Sequence, residues 1–135
     1  NFVDFKKMEK KSGELFKELK SDTKPKQLVK TLSGGQKQAV ALSRTRLSNP
    51  DIVIMDEPTA AISIKQVKEV LQYILKLKEN NVSIILISHR MMDVFEVCDR
   101  VMVLRRGIKV SDKKLKQSSP EEVTGLITGA IDTSF

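Results

Sequence analysis

Two short apolar runs constrain the fold more than any other feature of the chain. Ile52–Met55 and Val82–Ile87 are each strand-sized, and each is followed at once by polar chemistry: Asp56-Glu57 after the first, Ser88-His89 after the second. A strand without apolar–polar alternation is the pattern of a parallel sheet covered on both faces. Between the runs, Ser63 and Gln66 have the spacing of a capping box, and Ile64, Val67, Leu71 and Ile74 recur on one face of a helix ending near Asn80-Asn81. Strand, helix, strand, continued downstream by a further helix and a third strand, leads us to expect an α/β fold built on a parallel sheet.

The flanking segments fit around that unit. Phe5, Met8, Leu15, Phe16 and Leu19 predict an amphipathic helix from Phe5 to about Lys20, weakened by Gly13. Residues 21–31 are polar around Pro25 and read as a loop or short turn. Ser33 opens the next helix with its own capping box to Gln36; Ala39, Val40, Leu42, Ser43 and Leu47 supply a small-residue face, and Asn49-Pro50 stops it. These two N-terminal helices read as a separate helical layer. Downstream, Met91–Val97 predicts a short helix, Val101–Leu104 a third strand, and Arg106-Gly107 a hairpin turn into Ile108–Val110. Ser119-Pro120-Glu121-Glu122 starts a last helix with an N-cap, a proline at the first helical position and acids in the first turn.

Composition excludes several classes. At 135 residues the chain is one domain's worth of material or a piece of a larger domain. No apolar run approaches the roughly 18 residues that cross a bilayer, and no signal-peptide pattern is visible. The single cysteine, Cys98, excludes an internal disulfide framework and reads as an inert buried thiol suited to a reducing compartment. The chain starts at Asn1 rather than methionine, which admits a processed start, a shortened chain or a piece of a longer gene product. A net charge of +7 raises the question of nucleic acid, but the lysines are interleaved with acids and there is no tryptophan for stacking. A solvated basic surface, with no nucleic-acid partner, is the expectation.

Three elements could carry chemistry, and each has a plainer reading. An acidic pair at the carboxyl end of a buried strand lies where open parallel sheets bind ligands. There Asp56 could hold a Mg²⁺ ion through water and Glu57 could polarise an attacking water, or the pair could be a solvated acidic turn. Ser33-Gly34-Gly35 at a capped helix start lets backbone amides approach phosphate oxygens at the positive end of the helix dipole, or it is simply an N-cap after a flexible turn. His89, the only histidine, could orient a water or a phosphate from its strand end, or could be structural.

Taken together, LSGGQ at 32–36, an apolar strand running into DEPT at 56–59, and a later strand ending in Ser88-His89 resemble the ATP-binding subunit of an ABC transporter in order and spacing. The resemblance implies that Ser33, Gly34, Gly35 and Gln36 belong to the signature motif that presses on ATP held by a partner subunit. It implies that Asp56 ends the Walker B strand, Glu57 is the catalytic glutamate and His89 the switch histidine, with ATP and Mg²⁺ as cofactors. In the family the loop after DEPT usually reads Ser-Ala-Leu-Asp; here it is Ala60-Ala61-Ile62-Ser63, similar to monosaccharide importers of the ribose and fructose kind. The stretch from Val103 to Ile131 also resembles the close of simple-sugar ATPases. The implied partners are a second ATPase subunit in a head-to-tail dimer, membrane permease subunits and, indirectly, a periplasmic sugar-binding protein. The implied location is the cytoplasmic face of the membrane.

One family element is absent from the sequence. A P-loop needs G-x-x-x-x-G-K-[ST], and none of the six glycines is followed by lysine. The expected fold is therefore an incomplete P-loop NTPase-type α/β sheet with flanking helices. Residues 1–48 would be part of the helical subdomain and 49–135 the C-terminal part of the ATPase core. Such a chain alone is expected to be inactive as an ATPase, to leave an edge of the Val82–Ile87 strand and of Val101–Leu104 unpaired, and to be marginally stable or to associate. A non-transport ABC ATPase of DNA repair or translation, or a non-catalytic module offering only the signature side, are the alternative readings.

Overall fold

The computed structural model describes residues 3–131; residues 1–2 and 132–135, which the domain reading above includes, lie outside the described residues. The chain divides into two compact units, up to Ile85 and from Leu86 onward.

The first unit begins with α1 (Phe5–Glu18), whose N-cap Asp4 accepts a hydrogen bond from the Lys7 amide at 3.0 Å. It ends two residues short of the expected Lys20, which sits in the left-handed region at φ 51° and turns the chain. A single 3-10 turn, Val29–Thr31, interrupts the polar loop before α2 (Gly34–Ser48). Asn49 terminates α2 in the left-handed conformation, and Pro50 follows, unable to continue a helix. β1 (Ile52–Asp56), α3 (Ile64–Glu79) and β2 (Ser83–Ile87) then form the crossover unit read from the sequence. β1 and β2 are neighbours in a two-stranded sheet, with the Ser83 amide donating to the Asp51 carbonyl at 2.9 Å.

The core of this unit comes from Phe16, Leu32, Ala39, Leu42, Val53, Met55 and the inner face of α3, where Val67, Val70, Leu71, Tyr73, Ile74 and Leu77 are buried. α1 packs on α2. The Tyr73 hydroxyl reaches α2, sharing a 2.8 Å hydrogen bond with Thr45 Oγ1 and donating to the Leu42 carbonyl at 3.3 Å. Burial pushes the Tyr73 phenol above its ordinary pKa. Glu18 ties the three helices together, pairing with Lys76 of α3 and lying 3.5 Å from Arg46 of α2. The hydrogen bond from Lys76 holds its carboxyl below the usual carboxylate range, and Arg46 assists.

Two expectations need correction. The apolar run of β1 is covered on one face only: Val53 is 5% exposed and Met55 is buried, whereas Ile52 and Ile54 are 61% and 67% exposed. β2 likewise leaves Ile85 and Ile87 exposed. The physical reason is that a single crossover helix, α3, can shield one side of a strand pair, and an uninterrupted apolar strand needs a layer on each side. On the helices, Phe5, Met8, Leu47 and Ile64 are exposed rather than packed. They sit toward helix ends, beyond the reach of the neighbouring elements.

The second unit contains α4 (Met91–Val97), β3 (Arg100–Arg105), β4 (Ile108–Lys114), a 3-10 turn at Leu115–Gln117 and α5 (Pro120–Thr128). β3 does not extend a parallel sheet; it pairs antiparallel with β4, with a register irregularity between Val103 and Leu104. Arg106 and Gly107, both at positive φ, make the tight turn between them. Val94, Val101, Val103, Val110, Leu115, Val123 and Leu126 form its core, with the half-buried Cys98 at the margin instead of inside. α5 is capped as read, Ser119 Oγ accepting from the Glu122 amide at 3.2 Å, and Gly129 closes it in the left-handed conformation.

Candidate functional site

The start of α2 is a closed electrical and steric unit. Ser33 Oγ accepts from the Gln36 amide at 3.3 Å, and Gln36 Oε1 accepts from the Ser33 amide at 2.9 Å, so the capping box is complete. Gln36 Nε2 also donates to Asp22 Oδ1 at 3.1 Å, which pins the turn to the preceding loop. Leu32 is buried and acts as the anchor; Ser33 and Gly34 are exposed. A 15-residue helix with an exposed, capped N-terminus presents amide hydrogens and a positive dipole end to solvent.

The glycines have a second use that the sequence does not disclose. A β-carbon at residue 34 would come 3.3 Å from the Ala61 carbonyl oxygen, and one at residue 35 would overlap the Gln66 carboxamide. Gly34 therefore lets the loop after β1, and Gly35 the first turn of α3, approach α2 closely. That brings Ser33–Gln36 and Ala60–Ser63 together within the first unit.

Asp56 is the last residue of β1 and is exposed; Glu57 follows, half-buried, with its Oε2 shielded from solvent. Glu57 and Ala61 both adopt positive φ, at 46° and 56°. Two non-glycine residues in the left-handed region within five positions are a costly local geometry, of a kind that clusters at functional loops. Pro58 and Thr59 are buried beneath them and hold the turn. The loop ends at Ser63, whose side chain accepts from the Gln66 amide at 3.3 Å as the N-cap of α3.

His89 lies after β2, exposed, at the entrance to α4. There the Ser88 hydroxyl accepts from the Arg90 amide at 3.1 Å, and Arg90 Nε donates to the buried Asp93 at 2.8 Å. Asp93 went unnoticed in the sequence; an acid three residues after an arginine on a predicted helix was the available signal.

Comparison with known proteins finds similarity to one family. The ABC transporter family model matches residues 2–60, which span the α2 cap and the β1 loop. The ribose import ATP-binding protein RbsA of Caldanaerobacter subterraneus is 36% identical over 96% of the chain. The chain is thus similar to part of an ABC transporter ATPase domain. The galactose/methyl galactoside import ATP-binding protein MglA of Haemophilus influenzae is 38% identical over 95% of it. The chain spans only about a quarter of these relatives' length, 26% and 25%. Among solved structures, the dimeric bacterial ABC transporter cassette MJ0796 superposes with a TM-score of 0.74 at 26% identity, covering 85% of this chain and 50% of that one. The α/β fold of the ATPase cassette is thus shared over half of that structure, with only two strands of the parallel sheet present among the described residues.

Proposed function

We propose that these residues are the C-terminal part of the ATP-hydrolysing subunit of a simple-sugar importer, with residues 1–48 in its helical subdomain and 49–135 in its ATPase core. The observation that carries the reading is the close approach of the capped, exposed Ser33–Gln36 turn to the strained loop that follows Asp56-Glu57. The RbsA and MglA relatives, named for ribose and for galactose/methyl galactoside import, support the sugar class.

In this reading Ser33, Gly34, Gly35 and Gln36 offer amide and hydroxyl donors to the phosphates of a nucleotide held by a second ATPase subunit in a head-to-tail pair. Donors fixed before the reaction lower its barrier without reorganisation. Asp56 suits Mg²⁺, which takes one or two carboxylates and keeps its other positions for water and phosphate oxygens. Glu57 orients and deprotonates the attacking water, and His89 positions the γ-phosphate or that water. The Ala60–Ser63 loop meets the partner subunit. ATP binding itself needs a phosphate cradle from polypeptide beyond these residues, so the chain by itself turns over little or no ATP. Membrane permease subunits and, through them, a periplasmic sugar-binding protein complete the assembly at the cytoplasmic face. No helix among the described residues is long and apolar enough to cross a membrane, so attachment would run through those subunits.

The test is ATP turnover by the full gene product that carries these residues. Glu57→Gln should reduce turnover by about 10²-fold or more while ATP binding changes by less than about threefold. Unchanged turnover would remove Glu57 from its role. Loss of sugar uptake on deletion of the gene, restored by wild type and not by Glu57→Gln, would establish transport.

A further inference from the structure

We propose that Gln66 is a positioning residue for the Ser33–Gln36 turn, its carboxamide acting as the wedge that couples the start of α2 to the cap of α3. The inference rests on the reading of that turn as the surface offered to a nucleotide. It concerns how the turn is held, not what it binds.

Gln66 has two jobs in one group. Its Oε1 accepts from both the amide and the hydroxyl of Ser63, each at 3.0 Å, and so closes the cap of α3. The same carboxamide fills the space that a β-carbon on residue 35 would occupy. The cap of α2 does not require Gln66, because Ser33 and Gln36 satisfy each other. The wedge is therefore additional to helix capping. It is also the far end of a flexible side chain, beside an open cleft of about 350 Å³ lined in part by Lys20, Gly35, Gln38, Ser63 and Gln66. The Ser63 hydrogen bonds are what keep the carboxamide out of that cleft and against Gly35.

A mechanical consequence follows. Displacing the backbone at Gly35 toward α3 must push the carboxamide away and open the Ser63 cap. Opening the cap must in turn release the backbone at Gly34 and Gly35. The Ala60–Ser63 loop and the signature turn then shift together, so a nucleotide pressing on one would be felt at the residues that follow Glu57. Coupling of this kind is reciprocal.

The experiment is amide hydrogen exchange with NMR assignment on the full chain, without nucleotide, for wild type, Gly35→Ala, Gln66→Ala and the double variant. Gly35→Ala should raise exchange at the Ser63 amide about tenfold, 28 positions away in sequence, while the α2 amides from Ala39 to Leu42 stay within about threefold. Gln66→Ala should raise Ser63 exchange similarly, and the double variant no further, because both changes break the same contact. Unchanged Ser63 exchange in Gly35→Ala, or effects that multiply in the double variant, would overturn the wedge. If Gly35→Ala fails to fold, Gln66→Ala alone decides. It should shift the Gly34 and Gly35 amide resonances, and Gln66→Glu, which keeps the acceptor and the length, should restore them. Glycine resonances indifferent to Gln66→Ala would reduce Gln66 to an ordinary cap. No nucleotide enters the measurement, so failure of the ATPase reading leaves this result standing on its own.

Discussion

α2 and α3 begin with the same four-residue device, Ser-x-x-Gln, and the two capping boxes have nearly the same geometry. The helices behind them are used differently. α3 buries six residues along one face and holds the first unit together; α2 buries three, two of them small, and leaves its start open to solvent. One helix is a structural member with a cap, and the other is a cap displayed on a helix. Identical local chemistry serves stability in one place and presentation in the other, because packing rather than the motif sets the use.

The sharpest way to break that contrast is to empty the inner face of α3. Ile74→Ala, at a site 2% exposed, should destabilise the chain by about 2–5 kcal/mol. Ile64→Ala on the same helix, at 79% exposure, should change it by less than about 0.5 kcal/mol. Urea melts of both variants measure the difference, and equal losses would contradict the burial pattern. Next in size is the tie between the helices. Tyr73→Phe removes the hydroxyl shared with Thr45 and Leu42 and should cost about 1 kcal/mol, with Thr45 still bonded to Leu42 at 2.7 Å.

The caps themselves come third. Ser63→Ala and Ser33→Ala should each lose about 1 kcal/mol of helix stability. Ser33→Ala, which removes a donor offered to the nucleotide, should additionally impair ATP turnover in the full gene product more than Ser63→Ala does, and equal turnover in the two would erase the distinction drawn here.

The smallest effect concerns Glu18. Its folded pKa is depressed, so its contribution is present above the pKa of the unfolded carboxyl and disappears as pH falls through the folded value. The Lys76 partner is half-exposed, which limits the pair to about 0.2–1 kcal/mol. Stability measured between pH 7 and pH 3 should fall less steeply in Glu18→Gln than in wild type.

Local signals were legible where a few neighbouring residues decide the outcome. Both capping boxes, the proline-led start of α5, the Arg106-Gly107 turn and the limits of α4 follow from side chains that satisfy backbone groups within one turn of themselves. The candidate site was proposed from the sequence for the same reason: LSGGQ and DEPT are short runs whose chemistry needs those residue types adjacent to one another. The hairpin of Val101–Leu104 with Ile108–Val110 was legible from the same Arg106-Gly107 turn, but not that this pair stands as its own antiparallel sheet, since pairing depends on what else reaches the strand's edge.

What the sequence alone determined is the order of elements, most of the helix ends and the family they resemble. These rest on interactions a few residues long. What only the tertiary structure decided is which apolar residues are covered and which atoms face one another across the fold. Ile52 and Ile54 are as apolar as Val53 and Met55, yet they remain exposed because no layer among the described residues lies over them. Gly34 and Gly35 read as open space for a ligand, and the fold shows that the space on their β-carbon side belongs to Ala61 and Gln66. Burial and close approach are sums over residues distant in the chain, and no local pattern contains them.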